Sequence, residues 1–197
     1  MPKAVICAYA RTPIGKFRGA LANYSATELG SKVIEELLRR ADIDPKSGIV
    51  DQIYIGQVLQ AGSGQAPARQ VAINSGLPYS TPCTTINKVC GSSLKAVMIA
   101  AVIIAGGIES MSNSPYFTRE KNKGEMIDSR ILKSIMMHDG LTDAFDGTSM
   151  GMTGEIVAEE FNLSRELADS YAVRSHALAN AAWKNGWFET EIIDMEE

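Results

Sequence analysis

The stretch TTINKVCGSSLKAVMIAAVIIA, residues 84–105, contains a strand, a turn, an apolar helix and a second strand in direct succession. Residues 84–87 are strand-like, and residues 92–101 predict a helix. Residues 102–105 are apolar and mostly β-branched, which is typical of a buried central strand. A strand, a helix and a strand in this order make the βαβ unit of a parallel sheet, so the stretch predicts an α/β fold.

Cys90 lies between the first strand and the helix, and three small residues follow it. The unpaired N–H groups and partial positive charge of a helix N-terminus favour a thiolate over a thiol. Small side chains leave room for a substrate carbonyl and let backbone amides approach it, as acyl transfer requires. Cys90 is therefore a candidate nucleophile. The alternative is a buried structural cysteine, because free cysteine is among the most buried residue types.

Predicted strands and helices also precede this stretch. Residues 3–10 predict a first strand, which Pro13 ends. The capping box of Ser25 and Glu28 opens an amphipathic helix of about four turns. Residues 50–59 predict a strand and residues 65–73 a short helix. Strands that alternate with helices place chemistry at the carboxyl ends of the strands, and Cys90 has that position.

From residue 106 to residue 152 the composition shifts to serine, asparagine, glycine, methionine and charged residues, with weak periodicity. We therefore predict an α/β domain over residues 1–112, with residues 102–112 as its central strand and the following turn. Residues 113–197 then form a partial loop and helical subdomain, with helices over 155–161 and 165–185. No loop separates the helix from the strand at residues 101–102, so this junction is compressed relative to an ordinary crossover.

Composition excludes several classes of protein. The chain has 197 residues, of which 45% are hydrophobic, and its net charge of −4 gives no basic surface for nucleic acid. The most apolar run, residues 96–108, is too short to span a membrane, and no secretion signal is visible. Cys7, Cys83 and Cys90 form no CxxC pair and no metal-ligand spacing with the two histidines. We expect a reducing, cytoplasmic location, no metal, and Cys7 in the core.

Four segments carry a resemblance to a known family: NKVCGSSLKAV at 87–97, AGGIESMS at 105–112, GLTDAF at 140–145 and RTPIGKF at 11–17. Together they closely resemble the thiolase family, acetyl-CoA acetyltransferases in particular. The resemblance implies a thiolase-like layered α-β-α N-terminal domain with part of the loop subdomain, the C-terminal domain being absent. It also implies a homo-oligomer.

The resemblance implies a ping-pong reaction at Cys90. The thiol would take an acetyl group from acetyl-CoA as a thioester, and a second acetyl-CoA would attack it as an enolate to give acetoacetyl-CoA, or the reverse. Leu141 and Met150 match positions that line the CoA pocket, and Ser149 stands where short-chain members often have histidine. Coenzyme A thioesters are thus expected as substrates, with no permanently bound cofactor.

In thiolases a histidine base, a second cysteine and an oxyanion-binding glycine come from the C-terminal half. His138 and His176 are the only histidines here, and their contexts indicate solvated or capping residues. Glu109 is interpreted as structural, paired with a backbone donor or Lys95. We expect the isolated chain to be close to inactive without a complementary C-terminal half. One alternative is a non-catalytic remnant that binds acyl-CoA or a partner protein. A Cys–His hydrolase is a third class, which the contexts of the two histidines do not favour.

Overall fold

A computed structural model of the chain describes residues 5–100, 103–118 and 132–195. It divides into two compact units, one of Met1–Gly140 with Ile193–Glu197 and the other of Leu141–Ile192. By contacts, the described residues 113–118 and 132–140 thus group with the first unit, whereas the sequence predicted a boundary after residue 112. The predicted compressed junction at residues 101–102 lies outside the described residues.

The first unit is built on a three-stranded parallel sheet. Strands β1 (Gln52–Gly56), β2 (Cys83–Ile86) and β3 (Ile103–Gly107) lie in the order β2-β1-β3. The register pairs Ile53 with Ile104 and Gly56 with Gly107. Within the described ranges β3 pairs only with β1, so β1 is the central strand and β3, predicted to be central, lies at an edge.

Helices cover both faces of this sheet. Helices α1 (Ala26–Arg40) and α2 (Pro67–Asn74) share a buried core with one face. Helix α3 (Ser92–Ile99) lies on the opposite face, where its first turn contacts the last residues of β1 and β3. The core on the first face consists of apolar residues from α1, α2 and the sheet, with one residue after α2 and one after β3: Ala26, Ile34, Leu38, Ile53, Ile55, Ala68, Val71, Ala72, Leu77, Ile104 and Ile108. The unit therefore has three layers, α-β-α.

The predicted first strand is wrong for the described residues 5–10, which form no strand. Val5 and Ile6 are 76% and 81% exposed, and Cys7 is exposed rather than in the core. A β-prone run becomes a strand only where a sheet edge accepts its hydrogen bonds. In the described part of the chain, residues 5–10 pair with no strand, and Cys7 lies exposed in this irregular segment.

Helix α1 follows the sequence prediction closely. Its N-cap, Ser25, accepts a hydrogen bond from the Glu28 N–H, and the Glu28 carboxylate accepts one from the Ser25 N–H. This reciprocal capping satisfies two of the N–H groups that a helix terminus leaves unpaired. Near its other end, Glu36 pairs with Arg39 at 2.6 Å and with Arg40 at 2.7 Å.

These pairs predict a pH-dependent contribution to stability. Hydrogen bonds from Arg39 and Arg40 lower the pKa of Glu36 from 4.5 to about 2. A carboxyl group whose pKa is depressed by folding stabilises the fold above its unfolded pKa, and this contribution disappears as the pH falls through the folded value. We expect Glu36→Gln to lower the melting temperature slightly at pH 7 and to have a shrinking effect between pH 4.5 and pH 2. An effect of equal size at pH 7 and pH 2 in thermal unfolding would contradict this origin.

The described residues of the first unit that follow β3 contain only short elements, as the composition predicted. A 3₁₀ turn (Met111–Asn113), the antiparallel pair β4 (Tyr116–Phe117) and β5 (Lys133–Ser134), and a π-helical turn (Met136–Gly140) follow β3. The second unit contains α4 (Met150–Glu160) and α5 (Arg165–Lys184). Ser164 caps α5 as predicted, by accepting a hydrogen bond from the Leu167 N–H. None of the helices in the described ranges is long and apolar enough to cross a membrane.

Candidate active site

The candidate site lies at the carboxyl ends of the three parallel strands. The segment that starts at Gln57 follows β1, Asn87 follows β2, and Glu109 follows shortly after β3. All three loops emerge at the same edge of the sheet, because parallel strands end together. This edge is where open α/β sheets bind their ligands.

Cys90 sits on a tight turn between β2 and α3, directly before Gly91, the N-cap of α3. The Gly91 N–H donates to the Lys88 carbonyl at 3.0 Å, and the Ser92 N–H donates to the Val89 carbonyl at 3.1 Å. The sequence placed Cys90 at the start of a helix, and the structure agrees. The helix ends at Ile99 rather than at the predicted residue 101.

Val89 gives this turn its shape. Its φ of +45° is in the left-handed region, which a β-branched residue rarely occupies. Such a conformation costs about 1–3 kcal/mol and persists only where the surroundings hold it. Here the Val89 N–H donates to Asn87 Oδ1 at 3.0 Å. The Ser92 hydroxyl donates to the Val89 carbonyl at 2.6 Å and accepts from the Lys88 N–H at 2.9 Å.

Two strand-end glycines let α3 approach the sheet closely. A Cβ on Gly56 would lie 2.6 Å from the Ser92 carbonyl carbon and 2.6 Å from the Ser93 nitrogen. A Cβ on Gly107 would overlap the Ser93 side chain. The first turn of α3 therefore rests directly on the main chain of β1 and β3. Glycines at these two positions hold the Cys90 turn against the sheet.

The thiol of Cys90 is exposed and makes no hydrogen bond within the described part of the chain. Among the described residues, the hydrogen bonds of this turn use the N–H groups of Lys88, Val89, Gly91 and Ser92 and not that of Cys90. A free thiol beside a free N–H can attack a carbonyl and stabilise the resulting oxyanion. The turn thus has a nucleophile and an oxyanion donor, two of the groups that acyl transfer onto a thiol uses.

Glu109 joins the loop after β1 to the end of β3. Its carboxylate accepts hydrogen bonds from the Val58 N–H at 2.9 Å and from the Leu59 N–H at 3.3 Å. Burial raises the pKa of Glu109, and these two backbone hydrogen bonds oppose the rise. The sequence prediction of a structural partner on the backbone holds, since both donors are main-chain groups.

Leu141, Ser149 and Met150 come together in the second unit. The Met150 N–H donates to the Leu141 carbonyl at 2.9 Å, and Ser149 caps α4 by accepting from the Met152 N–H. Leu141 is 38% exposed and Met150 is 41% exposed. The chain therefore presents two apolar side chains at the start of a helix. Such a surface suits the apolar part of a ligand.

Neither histidine pairs with Cys90 in the described structure. His138 Nδ1 lies 2.6 Å from Asp139 Oδ1, and its ring packs edge-on against Phe117 at 5.0 Å. His176 is exposed on α5, in the second unit. A Cys–His hydrolase needs the base within hydrogen-bond reach of the thiol. The hydrogen bonds of the described residues include no such pair, which speaks against that class.

Three residues that hydrogen-bond to the Cys90 turn or to the loop beside it were not assigned to the site from sequence: Asn87, Ser92 and Glu109. Asparagine two residues before a turn residue is a known signal for a side-chain to main-chain turn, and it could have indicated Asn87. The role of Ser92 follows from the left-handed conformation of Val89. Valine gives no signal for that conformation.

In the described part of the chain, histidine, cysteine and acidic residues form no cluster that could hold a metal.

Comparison with known proteins identifies relatives over nearly the whole chain. Residues 4–197 match the family model described as thiolase, N-terminal domain. Acetyl-CoA acetyltransferase 2 of Arabidopsis thaliana is 45% identical over 200 residues, covering 97% of this chain and 49% of the relative. Acetyl-CoA acetyltransferase of Cupriavidus necator is 46% identical over 204 residues, covering 99% of this chain and 51% of the relative.

A solved structure has the same fold. The Ascaris suum thiolase in complex with coenzyme A superposes with a TM-score of 0.87 at 35% identity, covering 96% of this chain and 51% of that chain. This chain therefore spans about half the length of the curated relatives it matches. The names of other relatives include both cytosolic and mitochondrial proteins.

Proposed function

The chain belongs to the thiolase family, and from this membership we propose that it is the nucleophile-bearing half of an acetyl-CoA C-acetyltransferase. The expected thiolase-like α/β fold is confirmed, since the solved thiolase superposes over 96% of the chain. The activity is proposed because the chain covers about half of each relative. The observation that supports it most is an exposed, unbonded thiol on a braced turn at the start of α3.

In the proposed reaction, the Cys90 thiolate attacks the thioester carbonyl of acetyl-CoA. A new carbon–sulfur bond forms to Cys90, the bond to the CoA sulfur breaks, and CoA leaves as its thiolate. The exchange of one thioester for another is nearly balanced in energy, so the acetyl group can move in either direction. The N–H of Cys90 would stabilise the oxyanion of the tetrahedral intermediate, because it has no acceptor among the described residues.

In the second half-reaction, a second acetyl-CoA would lose an α-proton and attack the acetyl group on Cys90. Acetoacetyl-CoA would form, and the Cys90 thiolate would be released. This step requires a base, and neither histidine of the described chain bonds to Cys90. We therefore infer that the base comes from the part of the relatives that this chain does not match. That part could be carried by the same polypeptide or by a second one.

The test joins the chain to that missing part. The 197 residues replace the matched half of the Cupriavidus necator relative, and formation of acetoacetyl-CoA from acetyl-CoA is followed by release of CoA. We expect turnover by the folded hybrid and almost none by the 197 residues assayed alone. A folded hybrid that forms no product, with the relative itself active in the same assay, would refute the proposed activity.

We further propose that Leu141, Ser149 and Met150 contact the pantetheine arm of CoA. The support is the exposed apolar pair at the start of α4, together with the coenzyme A bound in the solved thiolase. An apolar side chain that is half-buried by a ligand contributes about 1 kcal/mol.

Met150→Ala is accordingly expected to raise the KM for acetyl-CoA of the hybrid about five-fold, with kcat little changed. Met152 is the matched control, because it is a methionine two residues further along α4 and is 54% exposed. Met152→Ala should leave KM unchanged. Equal KM values for the Met150 and Met152 variants would exclude this contact.

A second candidate function is a non-catalytic module that binds acyl-CoA or a partner protein. The outer face of α3 favours it, since Leu94, Val97 and Met98 are 66%, 47% and 69% exposed. A helix with an uncovered apolar face is a binding surface or a site of self-association. Sedimentation of the 197 residues with and without acetyl-CoA tests this function. A monomer with no affinity for the ester would count against it.

The cytoplasmic location and the homo-oligomer stay predictions. The relatives carry both cytosolic and mitochondrial names, so family membership is compatible with either compartment. Acetyl-CoA is present in both. Sedimentation of the hybrid would also report its oligomeric state.

A further inference from the structure

Glu109 lies outside the turn that carries Cys90, yet a continuous set of hydrogen bonds connects the two. The Glu109 carboxylate accepts from the Val58 N–H at 2.9 Å, and the Val58 carbonyl accepts from Asn87 Nδ2 at 3.3 Å. Asn87 Oδ1 then accepts from the Val89 N–H at 3.0 Å. Val89 directly precedes Cys90. The ends of β1 and β3 contribute one residue each to this set and the end of β2 contributes two. We call the set the brace: Glu109, Val58, Asn87 and Val89.

We propose that Glu109 is a positioning residue that holds Cys90 at the N-terminus of α3 through this brace. The proposal rests on the proposed function only in taking Cys90 as the nucleophile. Glu109 does not contact the thiol, so its effect is transmitted through the Val58 and Asn87 contacts.

The need for such a brace follows from the conformation of Val89. With φ at +45°, Val89 stores strain that the turn would release if its hydrogen bonds were lost. Relaxation of Val89 would rotate the following residue, Cys90, away from the N–H groups at the start of α3. Ser92 holds the carbonyl side of Val89, and Asn87 holds its N–H side. Of these two contacts, only the one from Asn87 depends on a loop outside the turn, because Asn87 also donates to the Val58 carbonyl in the loop after β1.

The carboxylate suits this position better than a neutral side chain. Two adjacent N–H groups, of Val58 and Leu59, point at Glu109, and an ionised carboxylate can accept from both. A glutamine has one acceptor oxygen, and its NH₂ group would replace Oε1, which accepts from the Leu59 N–H at 3.3 Å; the remaining oxygen lies 3.4 Å from that N–H. Partial burial strengthens both hydrogen bonds, because they are screened less than in water.

The test measures the reactivity of Cys90 in the 197-residue chain, without any CoA ester. Iodoacetamide alkylates thiolates, and peptide mass spectrometry resolves the rate at each cysteine. Cys7 is exposed and lies outside the brace, so it is an internal reference for reagent access. We expect Glu109→Gln to lower the ratio of the Cys90 rate to the Cys7 rate about five-fold, and Glu109→Ala to lower it further.

Two further variants separate positioning from general loss of stability. Ser31→Ala removes a buried hydroxyl that donates to the Thr27 carbonyl in α1, far along the chain from the brace. It should lower the melting temperature and leave the rate ratio unchanged. Asn87→Ala should lower the ratio as Glu109→Gln does, and the double variant should lose little more, since both changes break the same brace.

Additive effects of the Asn87 and Glu109 changes, or an unchanged ratio in Glu109→Gln, would overturn the proposal. An equal fall of the ratio in Ser31→Ala would overturn it as well. Alkylation needs neither acetyl-CoA nor the unmatched half of the relatives. A negative alkylation result would therefore overturn the role of Glu109 without affecting the proposed acetyl transfer. Equally, a failure of acetyl transfer would leave the alkylation result valid.

Discussion

Gly56→Ala is expected to destabilise the fold by about 2–3 kcal/mol, the upper range for inserting one methyl group into a packed site. The new Cβ would lie 2.6 Å from two main-chain atoms, the Ser92 carbonyl carbon and the Ser93 nitrogen. Main-chain atoms cannot rotate away as a side chain can. Helix α3 would have to move off the end of β1, and the Cys90 turn would move with it.

Gly106→Ala is the matched control for this prediction. Gly106 pairs with Ile55 in the same sheet, one position before the pair of Gly56 and Gly107, and a Cβ there would meet no atom within 4 Å. Its effect should stay within about 0.5 kcal/mol. Urea unfolding of the two variants measures the difference. Equal stabilities would show that α3 does not rest on the main chain of β1.

Cys90→Ser is expected to reduce the turnover of the hybrid enzyme on the order of 10⁴-fold or more, because the variant lacks the group that carries the acetyl intermediate. A serine hydroxyl at this position has no base bonded to it in the described structure and would remain protonated. The loss should appear in kcat, since Leu141, Ser149 and Met150, the residues proposed to contact CoA, are unchanged.

Cys7→Ser is the control for this loss. Cys7 is also exposed but lies in an irregular segment away from any helix start, and its replacement should leave turnover unchanged. Cys90→Ser should keep the melting temperature of the parent hybrid, because the exposed thiol makes no hydrogen bond in the described structure. A Cys90→Ser hybrid with near-normal turnover would assign the nucleophile elsewhere.

Local signals in the sequence were sufficient for most elements of the fold. The capping box of Ser25 and Glu28 predicted where α1 begins, and Ser164 predicted the start of α5. The predicted first strand failed over the described residues 5–10, because strand formation depends on a neighbouring edge and not on propensity alone. The sequence also predicted β3 to be the central strand, whereas it lies at an edge of the described sheet. Strand order is a property of the assembled sheet.

In the site, too, some residues could be predicted from the sequence and others could not. Cys90 at a helix start could be predicted, because small residues after a strand are a local pattern. The brace could not, since it joins Glu109 to Val58 across 51 positions of sequence and depends on a left-handed valine. The close approach of α3 to Gly56 also depends on tertiary packing. Residues that support a nucleophile are thus harder to find from sequence than the nucleophile itself.

The most direct test of the central claim is the mass of the peptide that contains Cys90 after the hybrid enzyme is quenched with acid during turnover of acetyl-CoA. We predict one added acetyl group on Cys90, its removal when free CoA is supplied, and no acetylated peptide in the Cys90→Ser variant. An acetyl group on another residue that persists in Cys90→Ser, or a hybrid that turns over with Cys90 unmodified at every quench time, would contradict the account.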